Sequence, residues 1–265
     1  MITGLVNEFV TQRPFVIAHR CAGGHWPEFS ARGVRGAVGL GVRALEVSLH
    51  TTATGEWVCS HDRSTVRVTG VDHDIPETPW EVLRELRTKP DQTTDPSQSA
   101  TPLLLFTELL ELAPPDQVLF IDHKETSTGR GEDDPRALEH ERRLLDFLDS
   151  VPGLSERVVW KVFAPGQPSR RRAAERGYPS WGAHYSARLD KYIDAADQFD
   201  LLGLEWDAPE EAWKRLIDVG RPVIAHIITA REQGDRVLGL GASGLMCSTP
   251  ADFADLLPPR ADAAS

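Results

Sequence analysis

Six residues carry side chains suited to one reaction: His19, Arg20, Glu46, His61, Asp122 and Lys124. Two carboxylates, Glu46 and Asp122, can hold a hard divalent cation such as Mg2+ or Ca2+. Arg20 and Lys124 can hold the oxygens of a phosphate or sulfate. His19 and His61 can serve as base and acid near neutral pH. A metal, two cations and two histidines suit the cleavage of a phosphodiester. The cations neutralise charge on phosphorus, one histidine activates the nucleophile, and the other protonates the leaving oxygen. A rival chemistry uses Lys124 or Lys161 as a Schiff-base lyase, one ammonium depressing the pKa of the other.

Such residues need strands to converge them. Short apolar runs alternate with amphipathic stretches almost to the C-terminus. Strands are expected over residues 15–19, 43–49, 57–60, 118–123, 158–163, 180–184, 201–206, 223–227 and 244–247. Helices are expected over 30–39, 79–87, 103–112, 135–150, 167–176, 189–199, 209–219, 229–238 and 250–256. Alternation of the two predicts a parallel sheet with helices outside. About eight strand–helix pairs in 265 residues match a (β/α)8 TIM barrel, whose usual size is ~250 residues. The strand at 57–60 is then a small insertion after the second strand. An open doubly wound sheet is disfavoured, because no G-x-G-x-x-G follows the first strand and no G-x-x-x-x-G-K-[ST] occurs. One barrel domain over 1–257 and a flexible tail over 258–265 are expected, with loops at 88–101 and 124–136.

In a barrel, chemistry collects at the C-terminal ends of the strands. His19-Arg20 ends the first strand, and Glu46, Ser48 and His50 share one face of the second. His61-Asp62 ends the inserted strand and Asp122-His123-Lys124 the third; Lys161, Glu205 and His226 lie on the fourth, sixth and seventh. Taken singly, a histidine there is usually structural and an acid often caps the next helix. Polar side chains on several buried strands are costly unless paired, so their convergence points to a site.

Composition bounds the rest. Hydrophobic residues make up 40% and charged residues 26%, which is ordinary globular composition. Lys and Arg number 29 against 40 Asp and Glu, a net charge of −11 without a long basic run, which argues against a nucleic-acid partner. No apolar run approaches a membrane span, so no stable membrane insertion is expected. Cys21, Cys59 and Cys247 are scattered and read as reduced thiols in a cytoplasmic protein.

The run VIAHRCAGGHWPEFSARGVRGAVGLGVRALEVSLHTTATGEWVCSHD resembles the opening of the glycerophosphodiester phosphodiesterase family. That family's pattern runs H-R-G, P-E-N-T, E-x-D and H-D. It is matched here by His19-Arg20-Cys21, Pro27-Glu28-Phe29-Ser30, Glu46-Val47-Ser48 and His61-Asp62. Downstream, TPLLLFTELLEL resembles the P-T-L-x-E helix, FIDHK the E-x-K strand, and GASGLMCSTPADF the closing segment. The resemblance implies a TIM barrel, a small-molecule phosphodiester substrate, His19 and His61 as acid and base, Glu46 and Asp122 as metal ligands, and Arg20 and Lys124 on the phosphate.

Departures from the pattern leave three readings open. Ser48 stands where the family has its second metal carboxylate, Asp122 where it has glutamate, Phe29 where it has asparagine, and Cys21 where it has glycine. His226 and Thr229 stand where it has tryptophan and asparagine. The metal persists, with Ser48, His50, Glu28 or Glu205 filling in; or it becomes Zn2+ or Mn2+, which accept imidazole. In the third reading the chain binds no metal and is an anion-binding pseudoenzyme. The D-x-K form of Asp122-His123-Lys124 also resembles the spider-toxin-type phospholipase D branch, which releases cyclic phosphates.

Overall fold

A computed structural model describes residues 2, 4–89, 100–128 and 131–258. Residues 90–99 and 129–130 of the two expected loops and 259–265 of the expected tail lie outside the described residues. Among the described residues nine strands form: β1 (Phe15–Ala18), β2 (Ala44–Thr51), β3 (Trp57–Cys59), β4 (Val118–His123), β5 (Val158–Val162), β6 (Ser180–Ala183), β7 (Leu201–Glu205), β8 (Val223–Ile228) and β9 (Gly244–Cys247). Eight are parallel, and the β1–β2 pairing, Ile17 opposite Ala44, closes them into a barrel. β3 runs antiparallel to β2, with Leu49 opposite Cys59, as the inserted hairpin.

Nearly every barrel residue is buried because helices cover the outside while side chains fill the inside. Alternation along the strands divides the two. Phe15, Ile17, Ala44, Val118, Phe120, Val159, Trp181, Leu201, Ile224 and Met246 form one apolar cluster, on the strand face shared with Glu46, Asp122 and Lys161. The interior is therefore apolar at the N-terminal end and charged at the C-terminal end. Gly203 leaves room for the Trp181 indole, since a Cβ there would lie 2.6 Å from its ring nitrogen.

Local signals explain several helices. Ser30 accepts the Gly33 N–H at 3.0 Å and caps Ala31–Gly39, so the last residue of the Pro27–Ser30 motif starts a helix. Asp134 caps Pro135–Ser150, whose proline sits at the first turn and whose Leu144, Leu145 and Leu148 face the barrel. Other expectations shrink. The helix expected over 79–87 is only Trp80–Leu83, 250–256 is a 3-10 helix, and 189–199 splits into Leu189–Tyr192 and a 3-10 turn, Ile193–Gln198.

A helix at Gly4–Thr11 was not expected from the sequence. Val6, Phe9 and Val10 join the apolar interior cluster, and Phe9 packs on Phe15 with ring centroids 4.8 Å apart. It closes the N-terminal end of the barrel. Phe9→Ala should lower the unfolding free energy by about 3–5 kcal/mol, the usual cost of emptying a buried aromatic position. A urea-denaturation loss below ~1 kcal/mol would show that this helix does not seal the core.

Candidate active site

The charged end of the barrel is organised by backbone register. β4 pairs with β2 so that Asp122 lies opposite Ser48, and β5 pairs with β4 through Ile121 and Trp160. Lys161 follows Trp160 and reaches both carboxylates. Its Nζ is 3.1 Å from Glu46 Oε1 and 3.0 Å from Asp122 Oδ2. Lys124 Nζ donates to the same Asp122 oxygen at 2.7 Å. Both carboxylates are fully buried, so each needs such partners.

Every carboxylate oxygen of the pair has a donor. Glu46 Oε2 accepts the Arg20 backbone N–H at 3.0 Å, and Glu46 Oε1 also accepts the Ser48 hydroxyl at 3.2 Å. Asp122 Oδ1 accepts the Ser127 hydroxyl at 2.5 Å. Burial alone would raise the Glu46 carboxyl, but the Lys161 ammonium overrides it and holds it at about 2. Asp122 likewise falls well below the carboxylate range, burial being outweighed by Lys124 and Lys161. Burial would lower the Lys161 ammonium, yet Asp122 and Glu46 push it up. That is the opposite of what a Schiff-base lysine needs, which counts against the lyase reading for Lys161; Lys124 donates one hydrogen bond to Asp122 in the same cluster.

The histidines stand around this cluster. His19 opens a 3-10 turn, His19–Cys21, just beyond β1, and its Nδ1 pairs with Ser248 Oγ at 2.9 Å. Burial lowers its pKa to about 3. His61 follows β3 and pairs through Nδ1 with Asp62 Oδ1 at 2.7 Å. Burial and the nearby Lys124 and Arg20 charges lower its pKa; Asp62 opposes them. In each ring the Nδ1 partner leaves Nε2 for other work.

A charge relay ties these loops together. Asp62 pairs with Arg67, Arg67 forks onto Glu28 at 2.6 and 3.0 Å, and Glu28 accepts Arg20 Nη1 at 3.0 Å. Arg20 Nε is buried without a hydrogen-bond partner. Arg20, Cys21 and Ala22 all take positive φ, from 50° to 65°, a conformation costly for non-glycine residues. The Glu46 carboxylate holds this strained turn by its hydrogen bond to Arg20.

The remaining expected residues divide. His50 faces a cavity of about 390 Å3 that it shares with His61 and Lys124, and both its ring nitrogens are buried without partners. Glu28 belongs to the relay. Glu205 is drawn away from the carboxylate pair, taking the Ser186 N–H at 2.8 Å and its hydroxyl at 2.5 Å. His226 Nε2 pairs with the His184 carbonyl at 3.0 Å. Ser127, Ser248, Asp62 and Arg67 were not assigned roles from the sequence. Two are serines in loops, and Arg67 sits in a helix of four residues, Val66–Thr69.

Mg2+ or Ca2+, the expected ions, would need free carboxylate oxygens here. All four oxygens of Glu46 and Asp122 are engaged, two ammonium groups already balance their charge, and Ser48 supplies no third carboxylate. Among the described residues no group of three or more His, Cys, Asp or Glu side chains is set to hold a metal ion. These residues, as arranged, do not fit a divalent cation.

Four buried histidines make stability depend on pH. Burial lowers His19 and His226 to about 3 and His50 and His184 to about 4, from 6.5 in the unfolded chain. Below pH 6.5 the unfolded chain therefore binds protons that the folded chain refuses, and stability falls as pH falls. Between pH 6 and 5 the loss should be on the order of 5 kcal/mol, each of the four histidines contributing up to ~1.4 kcal/mol per pH unit. Equal unfolding free energies at pH 5 and 7 in a denaturant series would contradict this assignment.

Comparison with known proteins places the chain. The sequence pattern of the Glycerophosphoryl diester phosphodiesterase family matches residues 19–244. No curated protein sequence matches. Among solved structures, a Silicibacter pomeroyi protein named as a candidate glycerophosphoryl diester phosphodiesterase shares 18% identity at a TM-score of 0.77, covering 96% of this chain and 97% of that one. An Oleispira antarctica phosphodiesterase, solved with the product sn-glycerol-3-phosphate, shares 17% at 0.70, covering 93% and 97%. A Thermotoga maritima glycerophosphodiester phosphodiesterase shares 16% at 0.67, covering 92% and 98%. Members of the matched family are phosphoric diester hydrolases and generally use divalent metal ions. With a family pattern spanning most of its length and a closed parallel barrel beneath it, the chain belongs to the glycerophosphoryl diester phosphodiesterase family.

Proposed function

We propose that the barrel, one domain over residues 1–257, cleaves a glycerophosphodiester-like substrate into a phosphomonoester or cyclic phosphate and an alcohol. The observation that carries this reading is the arrangement of His19 and His61. Both rings are held through Nδ1, by Ser248 and Asp62, around a cluster containing Arg20, Lys124 and Lys161. The sn-glycerol-3-phosphate bound by the Oleispira antarctica relative supports a phosphomonoester product. A small-molecule substrate met in the cytoplasm is part of this reading; no helix of the described residues is long and apolar enough to cross a membrane.

The roles follow from the electrostatics. His19 is neutral at pH 7 and takes the proton of the attacking water or neighbouring hydroxyl; burial opposes that step, and the Glu46 charge, which raises the His19 pKa, stabilises the imidazolium that forms. His61, whose imidazolium the Asp62 carboxylate stabilises, gives a proton to the leaving alkoxide as its bond to phosphorus breaks. An anionic substrate between Lys124 and Arg20 offsets the two cations that lower the His61 pKa, so binding itself favours the protonated acid. Arg20 contributes its unpartnered Nε–H and Lys124 its ammonium to the phosphate oxygens. The cavity beside His61, lined by His50, Arg63, Glu77 and Arg136, takes the alcohol part.

The test is 31P NMR of glycerophosphodiesters incubated with the protein. Conversion to a monoester or cyclic phosphate is expected, and His19→Ala and His61→Ala should each reduce turnover by about 10²-fold or more. Near wild-type turnover in either variant would remove that histidine from the reaction. No conversion of any phosphodiester by the wild type would overturn the reading.

A further inference from the structure

We propose that the Lys161 ammonium is the built-in cation of this site, bridging Glu46 and Asp122 in place of a divalent ion, so that the chain works without Mg2+ or Ca2+. The catalytic half of this statement rests on the phosphodiesterase reading above; the ion-binding half does not.

Geometry is the first support. The ammonium lies within 3.1 Å of one carboxylate and 3.0 Å of the other; the three residues sit on adjacent strands, β4 pairing with β2 on one side and β5 on the other. Two aromatic rings flank it as well. Nζ lies 5.3 Å from the ring centroids of both Trp181 and Phe163, and the side chain is 7% exposed. Leaving that place would strip a buried cation of two carboxylates and two aromatic faces.

Charge is the second. Two carboxylates face two ammonium groups, Lys161 and Lys124, and the buried cluster is neutral. A divalent ion entering it would leave two positive charges uncompensated in the barrel interior unless Lys161 were expelled. Ser48 is the third. In the pattern this chain resembles, its position is a carboxylate, which would add the negative charge a divalent ion needs. Here the hydroxyl donates to Glu46 Oε1 at 3.2 Å, beside the Lys161 contact to the same oxygen. A carboxylate at 48 would instead repel Glu46. The loss of one acid and the presence of one internal ammonium thus belong together: Ser48 suits Lys161 and does not suit a dication.

The experiment titrates chelator-stripped protein with Mg2+, Ca2+ and Mn2+, following heat by calorimetry and thermal stability, with turnover measured in parallel. The wild type should show no binding heat at millimolar ion, no ion-dependent Tm rise, and unchanged turnover in excess chelator. The double variant Ser48→Asp/Lys161→Ala should gain ion binding at least tenfold tighter than the wild type and a Tm that rises with added ion. Lys161→Met, which keeps most of the length and removes the charge, serves as the second variant; it should lose turnover by about 10²-fold or more without metal. Stoichiometric Mg2+ or Ca2+ binding by the wild type, with turnover abolished by chelator, would overturn the proposal. A wild type inert toward every phosphodiester would sink the phosphodiesterase reading alone, because the calorimetric titration still decides whether the site takes an ion.

Discussion

A lysine ammonium held between two buried carboxylates sets the terms on which this barrel interior can be polar. Glu46 and Asp122 are fully buried and stay ionised because Lys161 and Lys124 face them. Removing one partner of such a cluster leaves an uncompensated charge, commonly at a cost of about 3–5 kcal/mol. The cluster also has a mechanical consequence. Glu46, fixed by Lys161, reaches the Arg20 N–H and holds a turn in which three consecutive non-glycine residues take positive φ. That turn follows His19 directly, so the buried charge balance and the placement of one histidine are coupled.

The barrel supplies this cluster with a floor and a rim. Phe120, Trp181, Ile224 and Met246 form the apolar layer beneath it, sealed at the far end by the Gly4–Thr11 helix. The rim comes from loops and from the β3 insertion, which brings His61 and Asp62 to the mouth. The relay from Asp62 through Arg67 and Glu28 to Arg20 fastens that insertion to the first loop. A low-dielectric floor strengthens every electrostatic contact above it.

Much of this was legible in the sequence. The strands at 118–123 and 244–247 match their expected limits, because apolar runs bounded by turn residues leave little choice. The fold class followed from strand–helix alternation. The N-terminal helix escaped because it is eight residues long and starts at a glycine. His19, Glu46, His61, Asp122 and Lys124 could be singled out as candidates because strand ends gather polar groups there. What Lys161 touches was not legible, since it depends on the register of three strands distant in sequence. Ser127 and Ser248 carry no signal of their own; only the fold brings them to Asp122 and His19. Glu205 was read as a possible stand-in ligand, yet local backbone geometry at Ser186 claims it.

The account turns on what occupies the space between Glu46 and Asp122. A crystal structure of the protein soaked with Mn2+ and a phosphate product, with anomalous data collected near the manganese edge, shows this directly. Continuous side-chain density placing Lys161 Nζ between the two carboxylates, with no anomalous peak there, is the expected result. A manganese peak bridging Glu46 and Asp122, with Lys161 turned away from both, would contradict it.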